Sequence, residues 1–172
     1  MLTEQNHAAL RLDGLAAEEA ELVFDSFDND TAWRLGCQLV GAAKAAGLAV
    51  VVGVRRGQQQ LFHAALAGTC ADNDAWLARK ARVVDRFGRS SFHVGTFCLA
   101  TGQTFEEAYR LDPDTYAAHG GAFPVTVRGV GVVGSVGVSG LPQADDHAFV
   151  VEQVRAFLRA ESRAAAPKDP TG

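Results

Sequence analysis

Long apolar runs are missing from this sequence. None approaches the roughly 20 residues that a membrane-spanning helix needs, and the N-terminal segment MLTEQNHAAL lacks the apolar region of a signal peptide. An excess of basic residues is missing too, and the net charge of -4 argues against a dedicated nucleic-acid binder, since phosphate contacts need a basic surface. We therefore expect a cytoplasmic protein with neither a membrane nor a nucleic acid as its partner.

Paired cysteine motifs are also absent. Cys37, Cys70 and Cys98 lie too far apart for metal-binding or haem-attachment CxxC motifs. Their odd number and apolar surroundings favour reduced cysteines that act as small hydrophobic residues. We predict no metal site.

The familiar catalytic motifs are missing as well. Residues 129–134 satisfy GxGxxG, but a strand follows them where a dinucleotide site requires a helix, so these glycines are read as a hairpin. Ser135 and Ser139 do not sit in a GxSxG nucleophile elbow. There is no support here for hydrolase or kinase chemistry.

The hydrophobic pattern predicts one domain over residues 1–163, followed by a disordered tail at 164–172 that carries two prolines. A short helix is expected within residues 4–20. The elements after it are predicted as a strand at 21–27, a helix at 28–47, strands at 48–54 and 59–66, a helix at 74–88, strands at 123–128 and 132–139, and a helix at 143–163. Residues 92–100 are either a short helix or an apolar strand, and we favour the helix. Adjacent hairpins favour an antiparallel sheet with helices on both faces, an α+β domain.

The strand at 132–139 has one face that is nearly free of side chains. Ser135, Gly137 and Ser139 share this face, so a backbone, a helix or a ligand can lie close against it. The loop before the hairpin, His119-Gly120-Gly121, is either an anion-binding nest of backbone amides or simply a tight turn.

His147 falls on the buried side of the last helix, near its N-terminus. That position disfavours the protonated form, so we expect a neutral imidazole. Such a group can ligate a metal or haem iron or act as a base. The alternative is an ordinary buried histidine with a hydrogen-bond partner.

Lys80 is the clearest anomaly, because it falls on the apolar face of the helix at 74–88, four residues after Trp76. A lysine placed there must extend to solvent, pair with an acid, or bind something. An adjacent face carries a stripe of basic residues, namely Arg79, Arg82, Arg86 and Arg89. The two readings are a solvated face and an anion site for carboxylate or phosphate.

Three segments together resemble a known family. Trp76-Leu77-Ala78-Arg79-Lys80 with Phe87 and Ser90-Ser91, then HGGAFPV from His119, then VSGLPQADDH ending at His147, are similar to a short branch of the haem-degrading-domain proteins. Distant relatives of that branch are GlcG, HbpS and the C-terminal domain of PduO. The resemblance covers about residues 15–160.

The resemblance implies a profilin-like domain in three layers, with a five-stranded antiparallel sheet between helices, assembled into a homo-oligomer. It leaves the activity and the cofactor unassigned, and haem is implied by the resemblance alone. Whether the protein is an enzyme stays open.

Three functions fit these observations. The first is a small-ligand or cofactor-binding protein, for haem or an anionic metabolite. The second is a structural or adaptor protein in which Lys80 pairs with an acid across an oligomer interface. The third is an enzyme with His147 or His119 as base and Lys80 with Arg79 as anion holder. The candidate ligand-binding residues are Lys80, Arg79, His119, Gly120, Gly121, Ser139, Gly140 and His147.

Overall fold

A computed structural model describes residues 3–165. The helices are α1 (Glu4–Glu21), α2 (Asn29–Ala45), α3 (Ala71–Phe87), α4 (Ser91–Ala100), α5 (Phe105–Tyr109) and α6 (Gln143–Ala165). The strands are β1 (Val23–Phe24), β2 (Val51–Arg56), β3 (Gln59–Ala65), β4 (Ala122–Val127) and β5 (Gly131–Ser139). The predicted α+β class is confirmed, including the helical assignment of residues 92–100.

The five strands form one sheet in the order β1-β4-β5-β2-β3. The prediction of a wholly antiparallel sheet was wrong, because β1 pairs with β4 in parallel. The other pairs are antiparallel. The chain leaves β1 through α2 and returns as β2 in the same direction. Because β4 also runs in this direction, β1 can join it only in parallel.

The boundaries of the first strands differ from the prediction. β1 has two residues instead of seven, since Leu22 still caps α1 and Asp28 already caps α2 through its side chain. β2 begins three residues later than expected, because Leu48 still donates its N–H to Ala43 at the end of α2. Hydrogen bonds at the helix ends therefore keep out of the strands some residues that the apolar pattern alone had assigned to them.

One face of the sheet carries the main hydrophobic core. Its valines, such as Val54 and Val136, are fully buried against α2 and α6. The helices contribute an apolar stripe each, for example Leu35 and Leu39 from α2 and Val154 from α6. This packing fixes where α6 begins, and thereby the position of the segment that precedes it.

The other face of the sheet is covered by α3, with α4 beside it and α1 packed on α4. The face with few side chains therefore meets a helix of its own chain. A Cβ atom at Gly137 would lie 2.9 Å from Leu77 Cδ1, and one at Gly53 would lie 3.0 Å from Leu77 Cδ2. Glycine at both positions lets α3 approach the strands closely. Helices thus lie on both faces, as predicted.

The structure also bears on the predictions for the cysteines, the C-terminal tail and membrane-spanning helices. All three cysteines are free, but Cys37 and Cys70 are exposed, so the small-hydrophobic reading was wrong for these two and holds for Cys98. The last helix includes residues 164 and 165 of the predicted tail, and the rest of that tail lies outside the described residues. Within residues 3–165, no helix combines the length and the apolar character that crossing a membrane requires.

Candidate functional site

Lys80 is buried and pairs with an acid of its own chain. Its Nζ atom lies 2.8 Å from Oδ2 of Asp146, and the two residues are 4% and 0% exposed. Oδ1 of Asp146 accepts the N–H of Leu141 at 3.0 Å. Burial raises the pKa of Asp146, while Lys80 and the N–H groups of Leu141 and Gly140 oppose that rise. The reading of Lys80 as a solvated residue was therefore wrong.

The glycines after His119 bring their loop against this ion pair. Gly121 has a φ of 132°, and a Cβ atom there would lie 2.8 Å from the Nζ atom of Lys80. The N–H of Gly120 donates to Oε1 of Gln143 at 3.2 Å. Only glycine permits this backbone conformation beside the ammonium group, so the two glycines set the distance between the loop, α3 and the start of α6.

His119 lies at the rim of this arrangement. Its ring packs edge to face on Trp76, with centroids 5.3 Å apart. The side chain is exposed, but the surrounding protein still desolvates it enough to lower its pKa. The Lys80 ammonium lowers this pKa further, Glu106 opposes the change, and Arg79 adds to it. The imidazole is thereby biased towards its neutral form, which can ligate a metal.

Two cavities meet at His119. The larger one, which we call the His119 cavity, has a volume of about 530 Å³ and lies between α1, α4 and α5. The smaller one, which we call the Lys80 cleft, has a volume of about 270 Å³, and Trp76, Lys80, Ser139 and Gly140 line it. His119 and Gln143 line both.

The walls of the His119 cavity are mixed. Phe92, Leu99 and Phe105 supply apolar surface, while the polar groups come mostly from α1 and the neighbouring turns. The cationic or titratable nitrogen groups are His7, Arg11 and His119, and the acids are Glu4 and Glu106. The guanidinium of Arg11 lies 5.5 Å from the centroid of the Phe92 ring. An apolar body with a polar end suits such a cavity.

Comparison with known proteins identifies the family. A sequence model described as "Haem degrading protein HbpS-like" matches residues 27–155. The chain belongs to this family. It is 58% identical over 144 residues to the UPF0303 protein SCO2848 of Streptomyces coelicolor, covering 84% of this chain and 91% of that protein. The predicted resemblance is confirmed.

Solved structures confirm the HbpS-like fold. The crystal structure of the Ybr137w protein matches with a TM-score of 0.80 at 30% identity, over 87% of this chain and 88% of that one. A structure described as a PduOC:heme complex matches with a TM-score of 0.64 at 14% identity, over 77% of this chain and 94% of that one. At that lower identity the likeness concerns the fold alone.

The three segments that carry the HbpS-like resemblance converge around one point. Trp76 and Lys80 come from α3, His119 and its glycines from the loop before β4, and Asp146 from α6. The Ser91 hydroxyl accepts the N–H of Ala122 at 3.1 Å and donates to its carbonyl at 3.3 Å. Ser91 thus anchors the first residue of β4, directly after the glycine loop.

The basic stripe of α3 has a structural role in this HbpS-like domain. Arg79 donates to the carbonyl of Pro113 at 3.0 Å and lies over the Trp76 ring at 4.0 Å. Arg82 donates to the carbonyl of Thr115 at 3.2 Å. These bonds hold the loop before His119 on α3. Two arginines of the stripe thus bind their own chain, which weakens the interpretation of the stripe as an anion site.

The structure does not bring His147 to the Lys80 cleft. His147 is 5% exposed, and its Nε2 atom lies 3.0 Å from Glu18 on α1. Its ring packs on Phe92, with centroids 4.9 Å apart. Burial lowers the pKa of His147, and Glu18 opposes that change. The expected neutral imidazole is supported, but through burial more than through the helix terminus.

Sequence reasoning missed several residues of the site. Asp146 is not among the predicted site residues, although a lysine on an apolar face indicates that a buried acid lies nearby. Gln143 was read only as a helix boundary. His7 and Arg11 lie on a polar helix whose sequence carries no motif, so nothing in the pattern pointed to them.

Proposed function

We propose that this HbpS-like protein binds a small anionic cofactor or metabolite at His119, with haem as the leading candidate. The observation that carries the proposal is the position of His119, whose neutral-biased imidazole lines both the His119 cavity and the Lys80 cleft. The volume of the larger cavity, about 530 Å³, falls within the range usual for cofactor and ligand sites.

The residues of the His119 cavity fit a haem group. Haem iron is commonly held by a histidine, and His119 and His7 are the two imidazoles in the cavity lining. The rings of Phe92 and Phe105 and the side chain of Leu99 offer apolar surface for a flat macrocycle. Arg11 can pair with a carboxylate of the ligand. Haem would supply its redox and oxygen chemistry there; the protein would hold and orient it.

The Lys80 cleft supports the anionic character of the ligand. An ammonium has three N–H groups, and among the described residues Asp146 is the one hydrogen-bond partner of Lys80. Two N–H groups are thus left for an anionic ligand group that enters beside His119. In the His119 cavity, the acids Glu4 and Glu106 oppose an anion, and Arg11 is the cation of that lining that can pair with one. The carboxylate end of a ligand is therefore expected near Arg11 or Lys80.

Two relatives support the haem part of this proposal. The family is described as haem-degrading, and the solved PduOC relative is a haem complex. The homo-oligomer implied by the resemblance and the cytoplasmic location stay predictions for this chain. The exposed apolar side chains Leu10, Trp33 and Val130 are available for contacts between subunits.

A titration with haemin tests the proposal. The wild-type protein is expected to shift the Soret band saturably, and His119→Ala to weaken binding by about tenfold or more. His63→Ala is the matched control, because His63 lines neither the His119 cavity nor the Lys80 cleft. The absence of a saturable shift, or an unchanged affinity in His119→Ala, would remove haem as the ligand.

Iron-free protoporphyrin IX distinguishes an iron bond made by His119 from a carboxylate contact made by Arg11. If His119 acts as an iron ligand, His119→Ala loses haemin and keeps protoporphyrin. Arg11→Gln is expected to weaken both, because it removes a partner of the ligand carboxylates. If Arg11→Gln changes neither, the assigned orientation of the ligand is wrong.

The other two hypotheses lose their motivating contacts. The adaptor hypothesis pairs Lys80 with an acid across a subunit interface, whereas Lys80 pairs with Asp146 of its own chain. The enzyme hypothesis with His147 as base loses the proximity of His147 to Lys80, and Arg79 is engaged with Trp76 and Pro113. Of the two candidate bases, His119 is the one that lines the Lys80 cleft.

A further inference from the structure

A third cavity lies under α3, on the side of the sheet that carries few side chains. Its volume is about 360 Å³, and we call it the α3 cavity. The residues that line it include Arg55, His63, Asp74, Leu77 and Ser135. None of the residues that line it also lines the His119 cavity or the Lys80 cleft.

The cavity exists because small residues face each other across this interface. Gly53 of β2 and Gly137 of β5 are register partners, and Ala78 and Ala81 face them from α3. Leu77 already touches the positions where Cβ atoms of the two glycines would be. Protein interiors are normally packed without such space, and an unfilled cavity lowers stability. The small residues let α3 lie close to the strands and leave space beside Leu77, and a ligand in that space would supply the missing packing contacts.

Arg55 brings a guanidinium group with unused hydrogen-bonding capacity to the wall of this cavity. Its Nε atom is buried and has no hydrogen-bond partner within residues 3–165, although its Nη2 atom donates to the carbonyl of Gln58 at 3.1 Å. A buried N–H group without a partner is costly, and more so when it carries charge. No carboxylate of the described chain forms an ion pair with Arg55, and Asp85 is the acid whose pKa this arginine lowers against the effect of burial.

The other polar groups of the cavity are a serine hydroxyl beside Arg55 and a histidine–aspartate pair. Ser135 is buried and is the register partner of Arg55 across β2 and β5, so their side chains share one face. On the partly exposed side, Nε2 of His63 lies 2.6 Å from Oδ1 of Asp74. Arginine with a hydroxyl beside it binds a carboxylate well, because the guanidinium fork matches the two oxygens.

We propose that the α3 cavity is a second binding site, for a small monocarboxylate with a compact apolar body. The carboxylate accepts hydrogen bonds from Arg55 and Ser135. The apolar body packs on Leu77, Ala78 and Ala81, and the His63–Asp74 pair lies at the solvent side. Because it shares no lining residue with the site at His119, this site stands independently of the function proposed above.

Benzoate is the probe for this site, and benzamide is its neutral counterpart of the same shape. Both are titrated into the full-length ¹⁵N-labelled protein, and the backbone amide signals are followed. Benzoate is expected to shift Gly53 and Gly137 saturably and to bind at least about tenfold more tightly than benzamide. Shifts confined to Gly120 and Gly121, equal affinities for the two probes, or no saturable shift would overturn the proposal.

A pair of arginine variants tests the assigned contact. Arg55→Gln is expected to weaken benzoate binding by about tenfold or more, since the charge-assisted bonds are lost. Arg56→Gln is the matched control, because Arg56 is the next residue of β2 and is exposed, and it should bind as the wild type does. An unchanged affinity in Arg55→Gln would overturn the proposal. If Arg55→Gln does not fold, the comparison of benzoate with benzamide on the wild type decides.

Discussion

The Nζ atom of Lys80 and Oδ2 of Asp146 form a buried ion pair with a separation of 2.8 Å. The pair joins α3 to the start of α6, and through the second oxygen of Asp146 it also fixes the N–H of Leu141. An ion pair in such a place contributes little net stability compared with a well-packed apolar pair, but removal of one partner leaves a buried charge without compensation. The pair therefore acts as a constraint on how the loop at His119 is positioned.

Replacement of Lys80 by methionine is expected to lower the free energy of unfolding by about 3–5 kcal/mol at pH 7, because Asp146 is left charged and buried. Urea denaturation measures the change. Lys44→Met is the control, because Lys44 is exposed on α2 and should cost about 0.3–1 kcal/mol at most. If the two variants lose similar amounts, Lys80 does not have the role assigned to it.

Gly121→Ala tests the close approach of the loop to the ion pair. Alanine at a φ of 132° costs about 1–3 kcal/mol in backbone strain alone, and the new methyl would meet the ammonium of Lys80. We expect a loss of at least that size in urea denaturation. Gly41→Ala on α2, where the Cβ position is open, is expected to be neutral or to stabilise by about 0.5–1 kcal/mol. A tolerated Gly121→Ala would contradict the described loop conformation.

His147 is expected to make stability depend on pH. Burial lowers its folded pKa below the unfolded value of 6.5, so the unfolded chain binds a proton that the folded chain does not. The free energy of unfolding should therefore fall as the pH decreases from about 6.5 towards the folded pKa, by at most about 1.4 kcal/mol per pH unit for one proton. Glu18 and Glu19 raise this pKa, and Arg11 lowers it.

The variant His147→Gln isolates this contribution. Between pH 6.5 and the folded pKa, its free energy of unfolding should change less steeply with pH than that of the wild type. At higher pH the two curves should run in parallel, because the wild-type imidazole is then neutral in both the folded and the unfolded protein. Urea denaturation at several pH values gives both curves. Equal slopes below pH 6.5 would show that the His147 proton is not linked to folding.

Most of the fold could be predicted from periodicity and turn residues, because each helix and hairpin has its own local signal. The helix predicted from residue 28 begins at the Asp28 cap, and the helix predicted to run to residue 88 ends there at a left-handed glycine. The parallel pairing of β1 could not be predicted, because two residues carry no alternation and their partner in β4 is some 100 residues away.

The candidate site was predictable only where a residue violated its own pattern. Lys80 on an apolar face indicated a cation that needs either solvent or a partner, and the glycines after His119 indicated a nest or a tight turn. His147 carried a similar signal, but a helix points successive residues in different directions, so Asp146 reaches Lys80 while His147 reaches Glu18. The α3 cavity is defined by small residues on three elements, and no local pattern reveals that these face one another.

Glu19 joins α1 to the turn that follows α3. Its buried carboxylate accepts a bond from Arg89 at 2.7 Å and one from the N–H of Ser90 at 2.8 Å. Burial raises its pKa, but His93, Arg89 and Ser90 together hold it below the usual value of 4.5. The stabilisation is thus fully present above about pH 4.5 and is lost as the pH falls through the folded pKa.

Glu19→Gln is expected to cost about 1.5–3 kcal/mol at pH 7, the scale of a hydrogen bond to a charged group. The cost should shrink as the pH falls below 4.5, because the Glu19 carboxyl of the unfolded wild type then binds a proton, and the folded carboxyl binds one only below its own lower pKa. Glu21→Gln is the matched control from the same helix, since the Glu21 pair with Arg155 is on the surface and such pairs contribute about 0–1 kcal/mol. Denaturation of both variants at pH 7 and pH 4 measures the difference. A cost for Glu19→Gln that is equal at the two pH values would mean that its charge does not hold Arg89 and Ser90 in place.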